Sequence, residues 1–158
     1  MNQGLEAKGS SAYTTALIGV VINLLALATP LTIPHAFVQN TPTYATFLLF
    51  SNLSLSGVIF ASIPRPHDDA EEVKSKQWAL AAAGAIFLMT MLMASLALHG
   101  GSLSAPLCTL DAVGSIATAA SYVVAFTYAH ELASCSITKG LYTRTRHEPW
   151  GSRNPQAN

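Results

Sequence analysis

Charged side chains are scarce in this sequence. Lys, Arg, Asp and Glu make up 10% of its 158 residues, whereas an average soluble domain carries about 25%. Apolar residues account for 51%, and four segments reach the roughly 20 residues that a helix needs to cross a hydrocarbon core of about 30 Å. These segments are residues 12–33, 44–63, 77–98 and 110–130. We therefore expect an all-α membrane protein with four transmembrane helices within residues 12–139, flanked by tails over residues 1–11 and 140–158.

Two of the three predicted loops contain no lysine or arginine. Residues 34–43 and 99–109 lack them, and the eight basic residues lie in the amino-terminal tail, the middle loop and the carboxyl-terminal region: Lys8; Arg65, Lys74 and Lys76; Lys139, Arg144, Arg146 and Arg153. Short loops rich in Lys and Arg stay on the cytosolic side of a membrane. The distribution predicts that both termini and the middle loop face the cytosol.

Cysteine is nearly absent, and patterns typical of enzymes are missing. Cys108 and Cys135 are predicted on opposite sides of the membrane, so they cannot pair within one subunit, although Cys108 could bridge two subunits. The sequence contains no CxxC, no Cys/His cluster at zinc spacing, no GxSxG, no HExxH and no glycine-rich phosphate loop. We therefore expect neither catalysis nor a bound metal or cofactor. Because the net charge is zero, we expect no nucleic-acid partner either.

Asp111 opens the last predicted span, TLDAVGSIATAASYVVAFTYA, and is the only Asp, Glu, Lys or Arg between Lys76 and Glu131. The helix face below it consists of small residues, as closely packed membrane helices need; they are Gly114, Ser115, Ala117, Thr118 and Ser121. One interpretation makes Asp111 a first-turn acid that follows a capping Thr109 and is stabilised by the helix dipole. The other places Asp111 and Thr118 on an ion path, because acids in membrane segments are candidates for function.

The first two predicted spans also carry polar residues near their centres. Asn23 lies in the first, while Asn52 and Ser56 share one face of the second by their i, i+4 spacing. An Asn in hydrocarbon needs a partner, and bonds between membrane helices contribute about 0.6 to 2 kcal/mol. These residues either hold neighbouring helices together or, for Asn52 and Ser56, line a wet path.

Four acids precede the third predicted span: Asp68, Asp69, Glu71 and Glu72. Their position favours a helix that starts at Asp68 or Asp69, with Glu72 and Lys76 forming an i, i+4 pair. The run is typical of a solvated helix start. In a ring of subunits it would also form an acidic collar at the cytosolic mouth, which attracts cations.

The whole chain resembles a family of small endoplasmic-reticulum channels of crucifers linked to clubroot resistance. The resemblance lies in the size, the four spans, the uncharged luminal loops, the run DDAEE and the span TLDAVGSIATAASYVV. It implies a ring-shaped homo-oligomer, a pentamer, that conducts calcium and other cations in plant immunity. The ion-path residues are not part of this resemblance. The alternative function is a tetraspan scaffold or assembly protein without transport activity.

The predicted orientation can be tested with epitope tags at the two termini. Both tags should be cleaved by protease added to intact microsomes, because the basic residues are assigned to the cytosolic side. A luminal marker protein in the same vesicles serves as the protected control. Protection of both tags would reverse the orientation.

Overall fold

The computed structural model describes the backbone of residues 2–32, 42–99 and 105–146, and the side chains of residues 3–29, 47–96, 99 and 108–135. Four α-helices follow one another: α1 (Asn2–Thr32), α2 (Pro42–Ala61), α3 (Ala70–His99) and α4 (Ala105–Arg146). The all-α prediction is therefore confirmed. Predicted features at residues 33–41, 100–104 and 147–158 lie outside the described residues.

Three stretches are long and apolar enough to cross a membrane, Gln3–Thr29, Ala70–Leu96 and Cys108–Cys135. In α2 the described apolar segment, Phe47–Ala61, is shorter. Large apolar side chains are exposed along these helices, including Leu25, Leu88 and Ile116. This surface suits hydrocarbon rather than water, as expected for a multi-pass membrane protein.

Two of the observed helices, α1 and α4, are much longer than the predicted spans. Residues 2–11, predicted as a tail, form the first turns of α1. Helix α4 begins at Ala105, before the predicted residue 110, and continues through Gly140 to Arg146. Gly140, where the predicted carboxyl-terminal tail begins, thus lies inside the helix, because a glycine weakens a helix without necessarily terminating it.

Contacts between the helices show an up-down-up-down bundle. Lys8 near the start of α1 pairs with Glu131 far along α4, whereas Asn23 reaches Thr118, so α1 and α4 are antiparallel. Both α2 and α4 contact all three other helices, and within the described residues α1 and α3 do not touch. The start of α1, the α2–α3 loop and the later part of α4 consequently lie at one end.

Glycines on α1 and α3 allow close approach to α4. A Cβ on Gly19 of α1 would overlap the Ser121 hydroxyl and come within 3.3 Å of the Ala117 carbonyl oxygen. A Cβ on Gly84 of α3 would overlap the Tyr122 hydroxyl. Small residues at such crossings let helix backbones pack closely where lipid supplies no hydrophobic drive between helices.

The α2–α3 loop is held by its own polar groups. Ser62 N–H donates back to the Val58 carbonyl at 2.9 Å, and the Tyr13 hydroxyl donates to the Ile63 carbonyl at 3.0 Å. Asp68 accepts from the Arg65 N–H at 2.7 Å and from Lys76 Nζ at 2.5 Å. Burial of Asp68 opposes its ionisation, but these two donors outweigh it and hold the pKa of Asp68 below its ordinary value.

The importance of the Gly19 contact can be tested by comparing Gly19→Ala with Gly57→Ala. Alanine favours a helix over glycine by about 1 kcal/mol, and at Gly57 an added Cβ meets nothing within 4 Å, so that variant should be as stable as the wild type or more so. Gly19→Ala should unfold at a lower temperature, because α1 and α4 must separate. Circular dichroism during heating in detergent measures the unfolding temperature of both variants. An equal gain in stability for the two would show that the contact between Gly19 and α4 tolerates a side chain.

Candidate functional site

Six polar side chains from three helices meet inside the bundle, and we call them the interior cluster. Helix α1 contributes Asn23, helix α2 contributes Asn52 and Ser56, and helix α4 contributes Asp111, Ser115 and Thr118. Their spacing explains the meeting, because residues 52 and 56, like residues 111, 115 and 118, repeat at three or four positions and share a helix face. The structure thus brings together the four predicted ion-path residues, Asp111, Asn52, Ser56 and Thr118.

Asn23 links α1, α2 and α4 at the end of the cluster that contains Ser56 and Thr118. Its side-chain amide donates to the Gly19 carbonyl of its own helix at 2.8 Å, to Ser56 Oγ at 2.8 Å and to Thr118 Oγ1 at 3.2 Å. The hydroxyl oxygens of Ser56 and Thr118 lie 3.0 Å apart, and each hydroxyl also donates to the carbonyl four residues earlier in its helix. These acceptors fix the orientation of the Asn23 side-chain amide. Only Nδ2 of Asn23 can donate to the Gly19 carbonyl, because Oδ1 carries no hydrogen.

Asn52 and Asp111 form the other end of the cluster. The Asn52 amide donates to Asp111 Oδ1 at 3.0 Å and to Ser115 Oγ at 3.2 Å. Asp111 is only 8% exposed, and none of the ion pairs in the described part of the chain involves it. The Asp111 carboxyl group thus accepts from a neutral donor, the Asn52 amide.

The interpretation of Asp111 as a first-turn acid behind a capping Thr109 is wrong. Helix α4 begins at Ala105, so Thr109 lies inside the helix and Asp111 lies beyond its first turn, where the N–H groups have intrahelical partners. The sequence suggested a cap because Thr-Leu-Asp follows a Gly/Ser/Pro-rich stretch, but the helix starts before Pro106. The side chain of Asp111 instead points towards α2.

Two amide oxygens of the cluster have no hydrogen-bond partner. Asn23 Oδ1 and Asn52 Oδ1 are buried and unpaired. A Cβ on Gly114 would come within 2.6 Å of Asn23 Oδ1 and 3.6 Å of Asn52 Nδ2, so the missing side chain of this glycine makes room for both amides. Together with Asp111, these groups offer oxygen acceptors of the kind that water and hard cations use.

The four acids of the predicted collar lie apart from the interior cluster. The backbone carbonyl of Asp69 accepts the first hydrogen bond of α3, from the Val73 N–H at 2.9 Å. Asp69 thus occupies the N-cap position. Glu72 lies 3.6 Å from Lys76 in the expected i, i+4 pair. Three of the acids are exposed: Asp69, Glu71 and Glu72. The fourth, Asp68, is half-buried and accepts a hydrogen bond from the Arg65 N–H within the loop.

Sequence reasoning missed two supports of the cluster. Gly19 provides the carbonyl that orients Asn23, and Ser121 donates across the α1–α4 interface to the Thr15 carbonyl at 3.2 Å. A glycine four residues before a buried asparagine was the available signal for the first. The Ser121 contact could be predicted only with the knowledge that α1 and α4 are neighbours, because Ser121 also donates to the Ala117 carbonyl of its own helix at 2.8 Å.

Neither cysteine is in a disulfide, and among the described residues no group of three or more His, Cys, Asp and Glu side chains could hold a metal ion. No protein-family model matches the chain, and neither a curated protein nor a solved structure is significantly similar to it. The interior cluster therefore carries the functional inference.

The role of Asn23 as a link between helices can be tested with Asn23→Leu. This variant should lose about 0.6 to 2 kcal/mol of stability, because it removes the donor shared by α1, α2 and α4. Thr14→Val is the matched control, since the exposed Thr14 hydroxyl donates only to Ser10 of its own helix. Unfolding in detergent should separate the two variants; equal stability would contradict the linking role, and a change in ion selectivity with intact assembly would place Asn23 on an ion path.

Proposed function

We propose that this chain is the pore-forming subunit of a homo-oligomeric cation channel, in which Asp111 attracts the permeating ion. The observation that carries the proposal is the burial of Asp111 against a neutral amide within an apolar helix. Acids are rare in membrane segments because they are costly there, and those present commonly mark ion pathways. Without the first-turn interpretation, the helix dipole no longer accounts for an acid at this position.

Asp111 lies far from the basic end of the bundle. Twenty residues separate it from Glu131 (131 − 111), which corresponds to about 30 Å along the helix at a rise of about 1.5 Å per residue. With Glu131 at the cytosolic boundary, Asp111 falls near the luminal boundary of the hydrocarbon core. Asp111 is 8% exposed, and the Asn52 amide holds its Oδ1.

The assembly we propose is a ring, and its carboxylates act together. Several like charges around an axis raise the local cation concentration more than one does, and oxygen ligands suit calcium as well as monovalent cations. Five subunits, an endoplasmic-reticulum location and a role in plant immunity are the parts of the proposal that come from the resemblance to the crucifer channels. The exposed acids Asp69, Glu71 and Glu72 would line the cytosolic mouth.

We further propose that α2 is the fourth transmembrane helix. Its 20 residues correspond to about 30 Å of helix, and it contacts each of the other three. With four spans, both termini and the α2–α3 loop lie on one side, which the positive charges assign to the cytosol.

A tetraspan scaffold is the second candidate, and the hydrogen bonding within the interior cluster favours it. Ser56, Ser115 and Thr118 all find partners inside one chain. Polar groups paired in this way hold helices together without a pore. The two candidates differ in whether Asp111 affects ion flow.

Planar-bilayer recordings of wild type and Asp111→Asn test the channel. The exchange preserves size and the contact with Asn52 but removes the charge, so cation current and calcium permeability should fall by about tenfold or more, the lower end of the enrichment that a charged vestibule produces. Asp69→Asn is the matched control, because Asn also caps helices well and an exposed charge is screened over about 8 Å at physiological salt. Its current should remain near that of the wild type.

The mass of the purified particle in detergent completes the test. A ring of subunits with cation current in the wild type and reduced current in Asp111→Asn supports the proposal. A stable monomer or dimer without current favours the scaffold. A conducting oligomer whose current and calcium-to-chloride selectivity do not change in Asp111→Asn would remove Asp111 from the ion path.

A further inference from the structure

A groove of about 330 Å³ lies between α3 and α4 on the outer surface of the bundle, and we call it the α3–α4 groove. It is lined by Lys74, Gln77, Trp78, Ala81 and Phe126. The four residues from α3 follow the spacing i, i+3, i+4 and i+7, so they form one continuous face of the helix. None of them belongs to the interior cluster.

The groove is polar at one end and apolar along the rest. Lys74 and Gln77 form the polar end, in the second turn of α3 and next to the α2–α3 loop. Trp78, Ala81 and Phe126 continue the groove towards the membrane centre, with Ala81 about 10 Å beyond Lys74 along the helix axis. A phospholipid has the same sequence of polar and apolar parts, a charged headgroup followed by an acyl chain.

Among the lysines whose side chains the structure describes, Lys74 differs from Lys8 and Lys76 in forming no ion pair with a described carboxylate. Lys76 binds Asp68 at 2.5 Å and lies 3.6 Å from Glu72, and Lys8 binds Glu131 at 2.7 Å. Among the side chains that the structure describes, no Asp or Glu forms an ion pair with Lys74, which is exposed. The positive charge at the polar end is therefore available to an anion.

The apolar floor is built by close packing between the two helices. The Tyr122 ring lies over Gly84, where a Cβ would overlap its hydroxyl, and Phe126 stacks on Tyr122 with ring centroids 5.7 Å apart. Trp78 forms the outer wall and is 70% exposed. Tryptophan at this position is typical of the membrane interface, where the indole ring contacts both headgroups and acyl chains.

We propose that the α3–α4 groove binds one anionic phospholipid. Its phosphate lies against the Lys74 ammonium group, Gln77 hydrogen-bonds to the headgroup or ester oxygens, and an acyl chain runs along Trp78, Ala81 and Phe126. The unpaired Lys74 favours an anionic lipid over a zwitterionic one, and the apolar floor favours a lipid over a soluble anion. This site does not depend on ion conduction.

Quenching of Trp78 fluorescence by brominated lipids tests the proposal. The chain has two tryptophans, so Trp150→Phe leaves Trp78 as the only indole in the full-length protein. This variant is reconstituted in phosphatidylcholine vesicles that contain a minor fraction of either brominated phosphatidylglycerol or brominated phosphatidylcholine. The anionic lipid should be enriched about fivefold at Trp78, the effect expected of one lysine near an anionic lipid.

Three further variants in the same background locate the preference. Lys74→Gln should abolish the enrichment and leave quenching by brominated phosphatidylcholine unchanged, because the apolar groove persists, and Lys74→Arg should restore it. Lys8→Gln is the control, since it removes a basic residue at the same end of the bundle but outside the groove. Equal quenching by both lipids in the parent protein, persistence of the preference in Lys74→Gln, or its loss in Lys8→Gln would each overturn the proposal.

Discussion

A polar group inside a bilayer is costly unless it finds a hydrogen-bond partner within the protein, and the arrangement of this bundle depends on that constraint. Hydrocarbon provides no donors or acceptors, so each unsatisfied group costs several kcal/mol. Exposed hydroxyls such as those of Thr14 and Ser95 meet the requirement locally, by bonding to the carbonyl four residues earlier. Asn23 and Asn52 have longer polar groups and reach other helices instead.

The interior cluster therefore fixes how α1, α2 and α4 pack. Sliding one of these helices along another would separate the Asn23 amide from Ser56 and Thr118, and the Asn52 amide from Asp111. Apolar contacts alone would tolerate such a shift, because lipid and leucine are similar surroundings. Gly19 and Gly114 contribute by leaving space for polar neighbours at the same crossings. Stability and register thus arise from the same few residues.

Helix α3 is attached differently. It meets α4 through the contact of Tyr122 with Gly84 and meets α2 through the 3.4 Å contact of Ser51 with Thr90, outside the interior cluster. Less of its surface is committed to polar partners, and a groove remains open beside α4. The bundle thus combines a polar interior shared by three helices with a fourth helix whose packing leaves a surface for lipid. Ion attraction at Asp111 and lipid binding at Lys74 would occupy opposite ends of the molecule.

Composition and spacing were sufficient to predict an all-α membrane protein, the need of Asn23 for a partner and the shared faces of Asn52 with Ser56 and of Asp111 with Thr118. These are local consequences of low charge and of the 3.6-residue helical repeat, so the sequence alone carries them. The boundary of α4 was less predictable, because proline is tolerated in a first helical turn. A start at Ala105 rather than near residue 110 places Asp111 beyond the first turn, where it is a buried acid and not a first-turn acid. The pairing of Asn52 with Asp111, the space that Gly114 leaves for the Asn23 amide and the unpaired state of Lys74 were decided by tertiary structure. Each depends on which helices become neighbours and at what height, and residues distant in the chain carry no local signal of that choice.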